Sequence, residues 1–166
     1  MGSSRLPNKV MKLIDGVPMI DLLLARLARA VEINEIVVAT ARTPDNKALA
    51  ENATARGYRC YRGSENDVLE RYVEAGRMAL ADVVVRITGD CPLVDPELVD
   101  SAVREFRARR VDYLSNVEPP TYPDGLGVEV FTIAALERAH GEATKPYDRG
   151  HVTPFLRESG LFKTTS

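Results

Sequence analysis

Val83-Val84-Val85-Arg86-Ile87-Thr88-Gly89-Asp90-Cys91-Pro92, with Asp95-Pro96 just beyond, is the stretch on which the fold reading turns. Three β-branched residues and Ile87 form a short apolar run, the pattern of a strand buried on both faces of a sheet. Thr88-Gly89 ends the run. Asp95-Pro96 then opens a helix as N-cap and first helical residue. Leu98, Val99, Ala102, Val103 and Phe106 follow on one helical face.

The same alternation extends outward in both directions. Upstream, Asp15-Gly16 is a turn signal, and Pro18 begins a helix carrying Ile20, Leu23, Leu24, Leu27 and Val31. Ile36 to Ala39 reads as another buried strand. Thr43-Pro44 opens a helix that Gly57 closes, and Tyr58 to Tyr61 is a weaker strand. Ser64-Glu65-Asn66-Asp67 has capping-box spacing before a helix that runs to about Leu80. Downstream, Tyr113 to Ser115 and Val128 to Phe131 read as strands around a polar, Pro-rich loop from Asn116 to Gly127. Thr132 caps a helix from Ile133 to about Glu142, and a last helix runs from near Asp148 to Glu158. This order predicts an α/β domain with a mostly parallel sheet and helices on both faces. No repeat, low-complexity tract or linker divides it, so residues 1–166 read as a single domain.

The composition narrows the function classes. The 166 residues are 45% hydrophobic and 28% charged, with a net charge of −2. That balance gives no general affinity for nucleic acid or anionic membrane. The chain has no Trp and only 6% aromatics, which also argues against a base-stacking surface. No apolar run approaches the roughly 20 residues that span a bilayer. No signal peptide is evident, so a cytoplasmic location is expected. Cys60 and Cys91 have no metal-like spacing and read as buried free thiols. His140 and His151 lie far apart and make no ligand pair.

In sheets of this class ligands bind beyond the carboxyl ends of the strands. The candidate residues are therefore Thr40 and Arg42, Arg62 to Glu65, Thr88 to Asp90, and Asn116. Asp90 is the sharpest. A carboxylate held at a strand end can take Mg²⁺, which prefers one or two carboxylates with phosphate oxygens and water; an Asp there can equally cap a turn. The Arg62–Arg71 segment is a strand-loop-helix junction where a helix N-terminus can receive an anion. Capping alone also explains Ser64 and Asp67, and Arg71 lies one turn into the helix. The loop containing Pro119 to Gly127 reads as a substrate lid or as a stiff connection. At the N-terminus, Gly2, Ser3 and Ser4 can form a backbone nest for phosphate, with Arg5 and Lys9 as cations beside it. A solvated basic arm or a tag would read the same way.

Six motifs occur in a telling order: Gly-Ser-Ser-Arg-Leu-Pro-x-Lys from Gly2, Glu35-Ile-Val-Val-Ala-Thr40, Arg62-Gly-Ser-Glu-x-Asp-Val-Leu-x-Arg-Tyr72, Arg86-Ile-Thr-Gly-Asp-Cys-Pro-Leu-Val-Asp-Pro96, Tyr122-Pro-Asp-Gly-Leu126 and His151-Val-Thr-Pro154. Together they resemble the cytidylyltransferase family of spore-coat and surface polysaccharide synthesis, which is related to the enzymes that make CMP-activated acidic sugars. The resemblance implies a Rossmann-like nucleotidyltransferase fold, a three-layer sandwich. It implies a cytidylyltransferase that uses CTP and a sugar, with Mg²⁺ as cofactor, and it leaves a homodimer open. Arg5, Lys9 and Asp90 would be the catalytic residues, with Asp90 as metal ligand. Gly2, Ser3, Ser4, Arg5, Lys9, Thr40, Arg71 and Thr88 would hold the nucleotide, and Arg62, Ser64, Glu65, Asn116 and Asp124 the sugar.

Three positions depart from the family pattern. Asn8 stands where Gly is usual, Gly127 where Asp is frequent, and Gly150 where an acidic residue usually precedes the His. The resemblance further implies a hydrophobic strand before the Gly2 loop and a second acidic metal ligand beyond the His151 helix. The expectation is thus a domain lacking the family's first strand and C-terminal end. Two other readings accompany the transferase: an inactive or non-catalytic nucleotide- or sugar-binding fragment, and a glycosyltransferase that uses a nucleotide sugar.

Overall fold

The computed structural model describes residues 8–166. Seven helices and eight strands alternate along these residues. A 3-10 turn, Lys9–Met11, leads into a hairpin of β1 (Leu13–Ile14) and β2 (Val17–Pro18), with Asp15-Gly16 at its tip. Then come α1 (Met19–Leu27), β3 (Val37–Ala41), α2 (Lys47–Ala55), β4 (Arg59–Gly63), α3 (Val68–Met78), β5 (Val83–Arg86) and α4 (Pro96–Arg109). β6 (Tyr113–Ser115), β7 (Glu129–Thr132), α5 (Ile133–Glu142), α6 (Pro146–His151), α7 (Pro154–Glu158) and β8 (Thr164–Thr165) complete the order. None of the described helices is long and apolar enough to cross a membrane.

The strands alternate their side chains between two helical layers, as a pleated backbone requires. Val83, Val85, Leu114 and Val130 face a core built with α1, α2 and α4. Val84, Tyr113 and Phe131 face the other core, built with α3, α5, α7 and Val152 between α6 and α7. Val99, Val103 and Phe106 lock α4 onto the first layer and are almost wholly buried. Each such side chain contributes about 1.5–3 kcal/mol. This is the expected three-layer α/β arrangement, with the directions resolved in detail. β3 pairs parallel with β4, and β6 parallel with β8. β7 lies between β5 and β6 and runs against both. Alternation of side chains is the same in either direction, so the sequence pattern carries no mark of this reversal.

The strands form separate hydrogen-bonded groups, β3-β4 and β5-β7-β6-β8. Between β3 and β5 runs a slot of about 460 Å³, lined by Val37, Val38, Val83 and Val85 and walled by residues of α1 and α3. β5, read from sequence as a buried strand, is consequently only half-buried along its length. Arg59, at the start of β4, donates to the Met78 carbonyl at 2.6 Å, shortly before β5 begins. The starts of β4 and β5 therefore lie at the same end of the molecule.

Several element boundaries differ from the sequence reading. α1 stops at Leu27, and Val31 is 80% exposed. The cause is Asp100 on α4, whose carboxylate accepts from the backbone N–H groups of Val31 and Glu32 at 3.0 and 2.8 Å and draws the chain off the helix axis. Thr43 does not cap α2. Pro44–Asn46 forms a 3-10 turn first, and the Thr43 hydroxyl accepts from Asn46 Nδ2 at 2.6 Å. The single helix expected from Asp148 to Glu158 is two, because Val152 takes φ +75° and Pro154 cannot continue a helix. Cys91 is buried, whereas Cys60 is only half-buried; both are free thiols.

Candidate functional site

Among the described residues, the carboxyl end of β5 carries the sharpest juxtaposition. Its strand ends at Arg86, and the turn beyond is fastened by Cys91 N–H to the Thr88 carbonyl at 3.2 Å and Val94 N–H to the Cys91 carbonyl at 3.1 Å. Asp90 stands on this turn. The 3-10 turn from the N-terminal end of the sequence packs against it: a Cβ on Gly89 would sit 3.4 Å from Val10 Cγ1. That contact delivers Lys9, whose Nζ donates to Asp90 Oδ2 at 2.7 Å. Eighty-one positions separate the two residues. Both side chains keep access to water, 33% exposed for Lys9 and 45% for Asp90. The Lys9 hydrogen bond holds the Asp90 carboxyl below its ordinary pKa; partial burial opposes this, and the Thr88 hydroxyl adds to it.

Asn8, just before Lys9, has φ +54°, a left-handed conformation that Gly adopts freely and Asn tolerates. The departure from the family's Gly is thereby reconciled with the backbone. Gly2, Ser3, Ser4 and Arg5 lie outside the described residues.

A second crevice, about 390 Å³, opens at the ends of β3 and β4, with Arg42, Thr43, Tyr61, Ser64, Glu65 and Glu70 on its walls. Arg42 bridges the strand ends, its Nη2 donating to the Arg62 carbonyl at 3.0 Å. Arg62 reaches back to the Thr43 carbonyl at 2.9 Å, and its Nε is buried without a partner among the described residues. Asp67, not Ser64, is the N-cap of α3 and accepts from Glu70 N–H at 2.9 Å. The Ser64 hydroxyl accepts from Asp67 N–H at 3.1 Å. Arg71 is 3% exposed, lies over Gly63 and donates to the Ser64 carbonyl at 2.9 Å, with its Nε unpartnered among the described residues. Burial lowers its guanidinium pKa from the ordinary value.

Other candidates are engaged internally. The buried Thr40 donates its hydroxyl to Asn46 Oδ1 at 3.1 Å. Thr88 shares a contact of 3.0 Å with the Cys91 thiol. Asn116 clasps the long loop, donating to the Leu126 carbonyl at 2.9 Å and accepting from Val128 N–H at 2.7 Å. Asp124 is exposed and accepts from Gly125 N–H at 3.0 Å. Gly127 is crowded, since a Cβ there would meet Val117 Cγ1 at 2.8 Å, so the family's Asp needs this loop to shift. Gly150 has open space beside it.

A buried network escaped the sequence reading. Arg86 on β5 and Glu129 on β7 are register partners and form an ion pair, 13% and 3% exposed. Tyr113 on β6 donates its hydroxyl to Glu129 Oε1 at 2.6 Å, and the Arg86 guanidinium lies 5.9 Å from the Tyr72 ring centroid. The available signal was opposite charges inside two apolar strands, a pattern cross-strand neighbours produce.

No group of three or more His, Cys, Asp or Glu side chains converges among the described residues. The Asp90 carboxylate at the end of β5 suits a cation that completes its shell with water and phosphate oxygens.

Comparison with known proteins bears on these sites. A family profile described as "Cytidylyltransferase" matches residues 1–164. An uncharacterized protein of Methanocaldococcus jannaschii is 40% identical over 163 residues, 98% of this chain and 66% of that protein. The spore coat polysaccharide biosynthesis protein SpsF of Bacillus subtilis is 31% identical over 161 residues, 91% of this chain and 67% of SpsF. The chain thus spans about two thirds of the length of these curated relatives. The solved structure of a cytidylyltransferase from Leptospira borgpetersenii superposes with a TM-score of 0.92 at 32% identity, covering 99% of this chain and 70% of that one.

Proposed function

The chain belongs to the cytidylyltransferase family, and from that premise we propose that it carries the nucleotide site of an enzyme transferring CMP from CTP to a sugar, with release of pyrophosphate, in surface polysaccharide synthesis. The observation that carries the proposal is the Lys9–Asp90 pair, which sets a mobile cation beside a fixed carboxylate at the carboxyl end of β5. A sugar hydroxyl attacks the α-phosphate in line, and the β- and γ-phosphates leave. The barrier is lowered mostly by positioning and charge neutralisation. Lys9, with Arg5, stabilises the charge that accumulates on pyrophosphate. Asp90 would hold Mg²⁺, which when bound supplies charge neutralisation across the phosphate oxygens. Arg42 lines the second crevice with Thr43 and Ser64, where nucleotide or sugar groups find donors, while Arg62 and Arg71 brace its rim through the Thr43 and Ser64 carbonyls.

A pyrophosphate-release assay with CTP, Mg²⁺ and a panel of neutral and acidic sugars tests the proposal. CTP-dependent release with at least one sugar, lost in Asp90→Asn, is the expected result. CTP binding without turnover identifies a binding module, and transfer of a sugar from a nucleotide sugar identifies a glycosyltransferase. Either outcome refutes the cytidylyltransferase reading.

A further inference from the structure

The two groups assigned above to the metal and the phosphates are engaged with each other. Lys9 Nζ donates to Asp90 Oδ2 at 2.7 Å, and this is the one hydrogen bond the Lys9 ammonium makes among the described residues. An oxygen that accepts from an ammonium does not offer the same lone pair to a divalent cation, and the ammonium's charge repels a cation placed beside it. The partners also differ in freedom. Asp90 is fixed by the Thr88–Val94 turn, whose two backbone hydrogen bonds hold its register. Lys9 reaches it through a flexible four-carbon stem, its side chain one third exposed.

We infer that Lys9 guards the Asp90 carboxylate in the nucleotide-free protein. It keeps free divalent cations off that oxygen and releases it when phosphate oxygens arrive to take the ammonium instead. The inference rests on the proposed reading of Asp90 as the metal ligand. Metal and nucleotide then bind with positive coupling: phosphate draws Lys9 away, the bared carboxylate gains the cation, and the coupling is the same in both directions. For an ion pair this exposed, releasing the carboxylate is worth about two- to fivefold in cation affinity.

Mn²⁺ serves as the probe, followed by water-proton relaxation on the nucleotide-free protein. Wild type, Lys9→Met, Lys9→Gln and Asp90→Asn are compared after circular dichroism shows each one folded. The expected result is Mn²⁺ binding about two- to fivefold tighter in both Lys9 variants, and near absence of binding in Asp90→Asn. Adding CTP should tighten Mn²⁺ binding in wild type more than in either Lys9 variant. Equal or weaker Mn²⁺ binding in the Lys9 variants, with Asp90→Asn still deficient, overturns the guard while leaving the metal assignment standing. Undiminished binding in Asp90→Asn overturns the metal assignment, and the guard with it.

Discussion

Fill the slot between β3 and β5, and the protein should become markedly more stable. The perturbation is an N-terminal extension of five alternating Val and Ile residues ahead of Met1. Val10 lies on the slot wall with Gly89, at the end where β5 finishes. From there, seven residues reach at most about 25 Å, ample to join a strand in the slot to Asn8. Such a strand would send alternate side chains toward α1 and α3, whose apolar residues already wall the space. Five buried side chains at about 2 kcal/mol each give about 10 kcal/mol. About five net hydrogen bonds to the β3 and β5 edges that face the slot add about 5 kcal/mol. Ordering five backbones costs about 7 kcal/mol. The balance is a gain of roughly 5–8 kcal/mol, or a midpoint higher by about 10–30 °C. Thermal and urea denaturation by far-ultraviolet circular dichroism measure the gain. Amide exchange should slow at Val38, Ala39, Val84 and Val85. An unchanged midpoint with unchanged exchange in β3 and β5 would refute the reasoning, and would show that the slot does not accept a strand.

Other outcomes follow from single contacts. Glu129→Gln leaves the mostly buried Arg86 without its counter-charge, and should cost about 3–5 kcal/mol in a urea titration. Asp67→Ala removes both the α3 cap and the Arg149 Nε contact at 2.6 Å, and should lower stability by about 1–3 kcal/mol. Gly76→Ala places a methyl 2.7 Å from Ile133 Cδ1; Ile133→Val should relieve the loss in a double-mutant cycle, and additive effects would count against that contact.

The sequence revealed elements better than their neighbours. β6 matches the sequence residue for residue: Tyr113, Leu114 and Ser115 directly precede the polar, Pro-rich loop, and all three are buried. The direction of β7 was hidden, since Val128 to Phe131 alternates identically in parallel and antiparallel pairs. β8 is two threonines whose pairing with Tyr113 and Leu114 is set wholly by tertiary contact. Asp90 was legible because Gly89 and a strand end point to it from within one segment. Its bond to Lys9 required the fold. The role of Arg86 within its valine run required the fold, because its partner Glu129 comes from another strand far along the chain.

The engaged phenol of Tyr113 gives the molecule a built-in optical witness. The chain has six Tyr and no Trp, so its near-ultraviolet signal is dominated by tyrosine. Burial and the Glu129 carboxylate push the Tyr113 phenol well above its ordinary value, and burial raises Tyr72 as well. A phenol whose folded pKa is raised lends stability that is complete below the unfolded value of about 10 and declines as pH rises through it. An alkaline titration followed by phenolate absorbance should therefore end in a late step that coincides with loss of sheet circular dichroism. That step would report the opening of β6 against β7 without any attached dye.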